Sequence, residues 1–189
     1  MPTALRPTIP RMINADKQPI RPRIGDDVYI APTSYVGGEV EIGDGSTVMH
    51  HVTIRGDVSA IRIGRRVNVQ DGAIIHTRGG VPLDIEDEVT IGHRAVVHCR
   101  RVGRRALIGI GAIVLDDSEI GEGAVIGAGA VVPPGTIVPP RKLVLGIPGR
   151  PVRDIGETED VYLSRVVDSY AELNRRHAAG EFPNWNKEV

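Results

Sequence analysis

Six histidines and one cysteine hold most of this chain's capacity for metal or acid–base chemistry, and the spacing of three histidines is informative. His76 directly follows Ile75, and His98 directly follows Val97, 22 residues later. His93 is near in sequence but stands two places after its own aliphatic, Ile91. Three neutral imidazoles suit a catalytic divalent metal, Zn2+ first and Fe2+ or Co2+ as alternatives, because such sites keep an open fourth position. A lone histidine on a strand is usually a surface residue, so the chemistry depends on what brings these three together. Arg55, Gln70 and Asp71 are the polar residues that fall in the same neighbourhood. His50, His51 and His177 read as surface or interface groups, and Cys99 as an inert corner thiol.

The elements that would position them follow from a repeat. Ile24, Ile30, Val36, Ile42, Val48 and Ile54 place a branched aliphatic every six residues. Ile63, Val69 and Ile75, then Ile85, Ile91 and Val97, continue the pattern, and a long run from Val102 to Val144 completes it. Period six is not helical. It is three times the strand period of two, and describes short strands joined by tight corners. The pattern resembles the hexapeptide-repeat proteins, whose fold is an all-β, three-sided, left-handed parallel β-helix. Three hexapeptides make a coil, so about seven coils begin near Ile24, Ile42, Ile63, Ile85, Val102, Ile120 and Val138. Strands spaced about 4.8 Å apart give a prism on the order of 30 Å long.

Register then places the candidates. Without the four extra residues between Ile75 and Ile85, His76 and His98 are 18 residues apart, one full coil. They should stack on the third face with Cα atoms about 5 Å apart. Arg55 takes the same column one coil earlier. His93 belongs to the second face, with Asp71 one coil below it and Gln70 beside Asp71. A neighbouring copy could bring its His93 to the stacked pair, which predicts a metal site shared across the interfaces of a homotrimer. Three irregularities, two insertions and one deletion, all follow the third face, and the two insertions should emerge at corners as loops.

Composition agrees. The 189 residues carry a net charge of −1, which removes the electrostatic case for nucleic acid or an anionic membrane. Aromatics make up 3% while the chain has 23 Gly and 14 Pro, so core volume must come from Val, Ile, Leu and Ala. One cysteine permits no internal disulfide, and with no apolar leader the chain reads as cytoplasmic. Residues 1–23 should wrap the first coil, 24–150 form the prism, and 151–189 form a helix and tail. Thr158 is the expected cap of that helix and Gly180 its stop. Leu163, Val166, Val167, Tyr170, Leu173 and His177 share one face of it. Gly109-Ile110-Gly111 and Gly127-Ala128-Gly129 are products of the repeat and not a dinucleotide fingerprint. Arg65-Arg66 and Arg104-Arg105 alternate up a corner with acidic pairs, as a structural charge ladder.

Arg55-Gly56-Asp57, Asn68-Val69-Gln70-Asp71-Gly72, His76, Thr90-Ile91-Gly92-His93 and His98 together resemble the signature of gamma-class carbonic anhydrases, over roughly residues 20 to 155. The resemblance implies a homotrimer that hydrates CO2 reversibly to bicarbonate, with His76 and His98 from one chain and His93 from its neighbour. It implies that Gln70 orients the metal's solvent and that Arg55, Asp57 and Asp71 form interfacial ion pairs. Tyr170 resembles a tyrosine brought to the site by the terminal helix. Where the archetypal enzymes carry glutamates, this chain has Val58 and the loop Arg78-Gly79-Gly80, which removes the family's proton shuttle and implies slow turnover. A metal-dependent acyl-CoA thioesterase, a hexapeptide acyltransferase and a non-catalytic trimeric scaffold are the alternatives.

Overall fold

The computed structural model describes residues 18–183, so the expected wrapping by residues 1–17 lies outside the described residues. Three inward columns of branched aliphatics define the prism. Ile24, Ile42, Ile63, Ile85, Val102, Ile120 and Val138 are parallel partners on the first face. Ile30, Val48, Val69, Ile91, Ile108, Ile126 and Val144 line the second. Val36, Ile54, Ile75, Val97, Val114 and Val132 line the third. The seven expected coils therefore have the expected register. Alanines and valines at the corners, such as Ala73, Val89, Ala106 and Ala124, are fully buried between them. Small residues let the chain turn sharply there without leaving a void.

Because successive strand residues point to opposite sides, each face also has an outward column, and the three differ. The first face reads Arg23, Glu41, Arg62, Asp84, Arg101, Glu119 and Ile137. Its charges alternate in sign, and Arg23–Glu41 at 2.7 Å and Arg62–Asp84 at 3.3 Å are ion pairs. The third face reads Tyr35, Thr53, Ile74, Val96, Ile113 and Val131. The second is covered by the C-terminal helix, which packs on Tyr29–Ile30, Thr47–Val48, Asn68–Val69 and Thr90–Ile91.

One of the two insertions differs from the corner loop expected of it. The three extra residues before Ile63 stay within a continuous strand, Thr53–Ile63, paired with Tyr35–Ile42 around the corner. The register slips between Gly38 and Val40. Gly38, at φ +84°, lies so near Gly56 that a Cβ would sit 2.3 Å from its carbonyl oxygen. With no side chains at this crossing, the extra residues form a bulge that leaves Asp57 and Val58 exposed. The second insertion is a loop, as expected, pinned by the Thr77 hydroxyl donating to the Val81 carbonyl at 2.7 Å. The shortened step from Val97 to Val102 turns Cys99 into the core, 1% exposed.

The last coil ends in a hairpin of Lys142–Leu145 with Arg150–Asp154. The helix Glu157–Ala178 then returns along the prism. Its route is fixed by Arg141 to Asp160, Arg105 to Ser164, Arg66 to Asp168, and Asn174 to the Asp27 carbonyl. These partners lie on every other coil from the last to the first, so the helix spans the prism length, as its 22 residues allow. The cap is Gly156 and not Thr158, because the Glu159 carboxylate accepts the Gly156 N–H at 2.8 Å. Leu163 and Val167 are buried as expected, whereas Val166, Tyr170, Leu173 and His177 are half-buried. Asn174 was not expected inside; it is buried because its amide satisfies the Asp27 carbonyl. Among the described residues no helix is long and apolar enough to cross a membrane.

Candidate metal centre

His76 and His98 stack on the third face, with ring centroids 5.1 Å apart and His76 Nδ1 3.0 Å from His98 Nε2. Parallel strands impose this: Ile75 pairs with Val97, so the residues after them share a column. Behind each ring stands a carboxylate. His76 Nε2 lies 3.1 Å from Asp57 Oδ1, and His98 Nδ1 bonds to Asp116 Oδ1. A carboxylate only accepts, so each bond puts the proton on the rear nitrogen and a lone pair on the front one. Two lone pairs facing at 3.0 Å repel unless a cation, a shared proton or a metal, lies between them. The separation is near the ~3.3 Å expected for two imidazoles bound at ~2.0–2.1 Å to a tetrahedral ion. The donor set fits a divalent metal.

Arg55 donates to Asp57 at 2.6 Å. That bond, reinforced by the one from His76, holds the Asp57 carboxyl below the usual carboxylate range. The bulged strand thus delivers Asp57 to the histidine column.

The second face carries a separate group. His93 Nδ1 is 3.1 Å from Asp71 Oδ2, an arrangement that leaves its Nε2 free. Gln70, 6% exposed, donates its amide to Asn68 at 3.2 Å, and Asn68 donates to the Thr90 hydroxyl at 2.8 Å. This chain commits the amide group of Gln70 and leaves its carbonyl oxygen to accept. Gln70, His93 and Tyr170 line one groove of about 180 Å³ between the helix and the second face, with Leu107, Ile110, Tyr162 and Val166 as apolar walls. Burial, and secondarily the charge of Asp71, pushes the Tyr170 phenol upward, so it remains a donor.

A single chain therefore brings together His76, His98, Asp57 and Arg55 on one face, and Gln70, Asp71, His93 and Tyr170 on another. Among the described residues no three histidine, cysteine or acidic side chains of one chain meet to hold a metal. Cys99 is remote from such a role: burial raises its thiol to about 12. His50 bonds the Thr33 hydroxyl at 2.9 Å, and His177 stacks on Tyr29 with centroids 5.2 Å apart, so both serve packing. The charge ladder is present, with Arg65–Asp87 at 3.2 Å and Arg104–Glu88 at 3.1 Å.

Sequence reasoning passed over Asp116 and the role of Asn68. Asp116 follows Leu115, which occupies the histidine column one coil after His98, and that register position was the available signal. Asn68 stands within the motif, but its link to Gln70 needs the side-chain geometry.

A family model described as bacterial transferase hexapeptide (six repeats) matches residues 21–56 and 101–134. A carbonic anhydrase of Geobacillus kaustophilus is 45% identical over 158 residues, which cover 84% of this chain and 87% of the relative. The mitochondrial gamma carbonic anhydrase 2 of Arabidopsis thaliana is 35% identical over 170 residues, covering 87% of this chain and 60% of the relative. A solved hexapeptide transferase family protein from Anaplasma phagocytophilum superimposes with a TM-score of 0.78 at 33% identity, covering 82% of this chain and 91% of that one.

Proposed function

The chain belongs to the gamma-class carbonic anhydrase-like family of hexapeptide-repeat proteins, and from that premise we propose that it is a cytoplasmic, homotrimeric, metal-dependent hydratase of CO2. His76 and His98 of one chain and His93 of a neighbour hold the metal, with zinc the first choice and Fe2+ or Co2+ as alternatives. The observation that carries this reading is the pair of front nitrogens facing at 3.0 Å while both rear nitrogens are held by carboxylates. Only a cation makes that arrangement favourable. When bound, the metal supplies Lewis-acid activation of water near neutral pH.

The chain's own residues do the rest. The Gln70 carbonyl accepts a hydrogen bond from the attacking water and so fixes its orientation, while Asn68 and Thr90 keep the Gln70 amide turned away. Tyr170 donates from the opposite wall of the groove. Asp57 and Asp71 orient His76 and His93, and Arg55 keeps Asp57 ionised. The departing proton finds no carboxylate at Val58 or Gly79, so it leaves to buffer. General acid–base groups are typically worth about 10²–10⁴-fold, which is the size of the expected rate deficit.

Metal analysis combined with stopped-flow CO2 hydration tests the reading. About one divalent ion per chain is expected, with hydration that is slow and rises with buffer concentration. Mixing His93→Ala chains with His98→Ala chains should restore some intact sites, because in a mixed trimer both substitutions can fall in one interface and leave another with an intact His76, His98 and His93. A metal-loaded protein inert toward CO2 at every buffer strength ends the hydratase reading. The apolar walls of the groove favour a second reading, metal-dependent thioester hydrolysis, and acyl-CoA cleavage lost in His98→Ala would then support it.

A further inference from the structure

We infer that Asp116 is the positioning residue for His98: its carboxylate sets the ring's tautomer and orientation so that the Nε2 lone pair faces the metal. The inference rests on the metal-site reading above. All three candidate ligands have a carboxylate at the nitrogen they do not offer, Asp57 for His76, Asp71 for His93 and Asp116 for His98. The first two lie in the motif segments. Asp116 comes from a different segment, one coil further on, and nothing in the motif marks it.

The three carboxylates are not equivalent. Asp57 divides its charge between His76 and Arg55, whose guanidinium is at 2.6 Å. Among the described residues Asp116 makes no pair with an arginine or lysine; the neighbouring Asp117 takes that role, receiving Arg78 Nη2 at 2.8 Å. Adjacent carboxylates thus divide the work, one toward the histidine and one toward the loop. The undivided charge of Asp116 acts on His98 alone. Its backbone is fixed too, since the Gly135 N–H donates to the Asp116 carbonyl at 2.8 Å. The His98 N–H donates to Val114 at 2.8 Å, so ring and carboxylate are held on neighbouring rungs of one ladder. Carboxylates behind metal-bound histidines typically contribute about 10–100-fold to affinity.

The test is zinc affinity by chelator competition for the full-length trimer and for Asp116→Ala, Asp116→Asn and Asp117→Ala. Asp116→Ala should weaken zinc about 10–100-fold. Asp116→Asn should fall between, because its side-chain oxygen still accepts from Nδ1–H but carries no charge. Asp117→Ala should stay within about threefold of the parent on the same scale. Circular dichroism and mass in solution establish that each variant is folded and assembled, and Asp116→Asn decides if the alanine variant does not fold. A parent protein that takes up no zinc overturns the metal reading itself. A parent that binds zinc, with both Asp116 variants binding as tightly, overturns the Asp116 inference alone. Lost thermal stability at unchanged zinc affinity would make Asp116 a structural residue and overturn it equally.

Discussion

The first and third faces rest on the same inward columns of isoleucine and valine, yet their outward columns have almost nothing in common. One alternates arginine and acid from Arg23 to Glu119, each charge beside an opposite charge on the next coil. The other presents Tyr35, Thr53 and then an unbroken apolar run of Ile74, Val96, Ile113 and Val131, with the histidine pair beside them. Burial explains the inward sameness, because the prism closes only if every coil fills the same section. The outward difference is not needed for closure. It separates a face that water can cover from one that needs a partner, since a continuous apolar stripe is unfavourable in solvent. The His76–His98 pair belongs to the second kind of face, as the proposed metal site shared between copies requires.

The most damaging way to break this contrast is to make the third face resemble the first. Ile113→Glu puts a charge in the middle of the apolar stripe, where a neighbouring chain would bury it at a cost of several kcal/mol. Light scattering should show a fall from three chains toward one, with most of the metal lost because His93 no longer arrives. The β-sheet signal in circular dichroism should persist, since the inward columns are untouched. Undiminished mass and full metal content would move the interface to another face.

How far all this was legible depends on what each residue's position obeys. Inward residues such as Ile91 and Val97 follow the repeat, so coil register and the stacking of His76 on His98 could be counted out directly. The bulge at Gly38 and Gly56 obeys a close approach of two backbones, which no count of sixes contains. The helix start escaped because Thr158 and Gly156 are both acceptable caps, and the Glu159 carboxylate decided between them. Asp116 was missed because its role is a side-chain direction at a corner. Corner residues have no fixed inward or outward sense.

A smaller effect tests the edge where the two faces meet, through Cys99. Burial raises its thiol to about 12 in the folded chain, against about 8.5 in an unfolded one. A raised folded value contributes stability that is full below the unfolded value and is lost as pH climbs from about 8.5 toward 12. The urea midpoint should therefore fall more steeply above about pH 9 in the parent than in Cys99→Ala. Thiol reagents should label Cys99 at neutral pH only at the rate of unfolding. Prompt labelling in the folded protein would place the sulfur at the surface and remove this reading of the shortened corner.

The smallest effect belongs to the first face, and its smallness is the point. Arg62 lies between Glu41 and Asp84 in the outward column, and its side chain is 56% exposed. Arg62→Glu sets three like charges on consecutive rungs about 4.8 Å apart. Exposed pairs of this kind contribute about 0.2–1 kcal/mol each, so the variant should lose on the order of 1 kcal/mol at low salt. Most of that should return near 1 M salt, where the screening length is about 3 Å. Assembly and metal content should not change, because the proposed interface lies on the third face. If Arg62→Glu instead dissociates the protein as Ile113→Glu is expected to, the charged face carries the interface, and the division between a solvated and a partnered face is wrong.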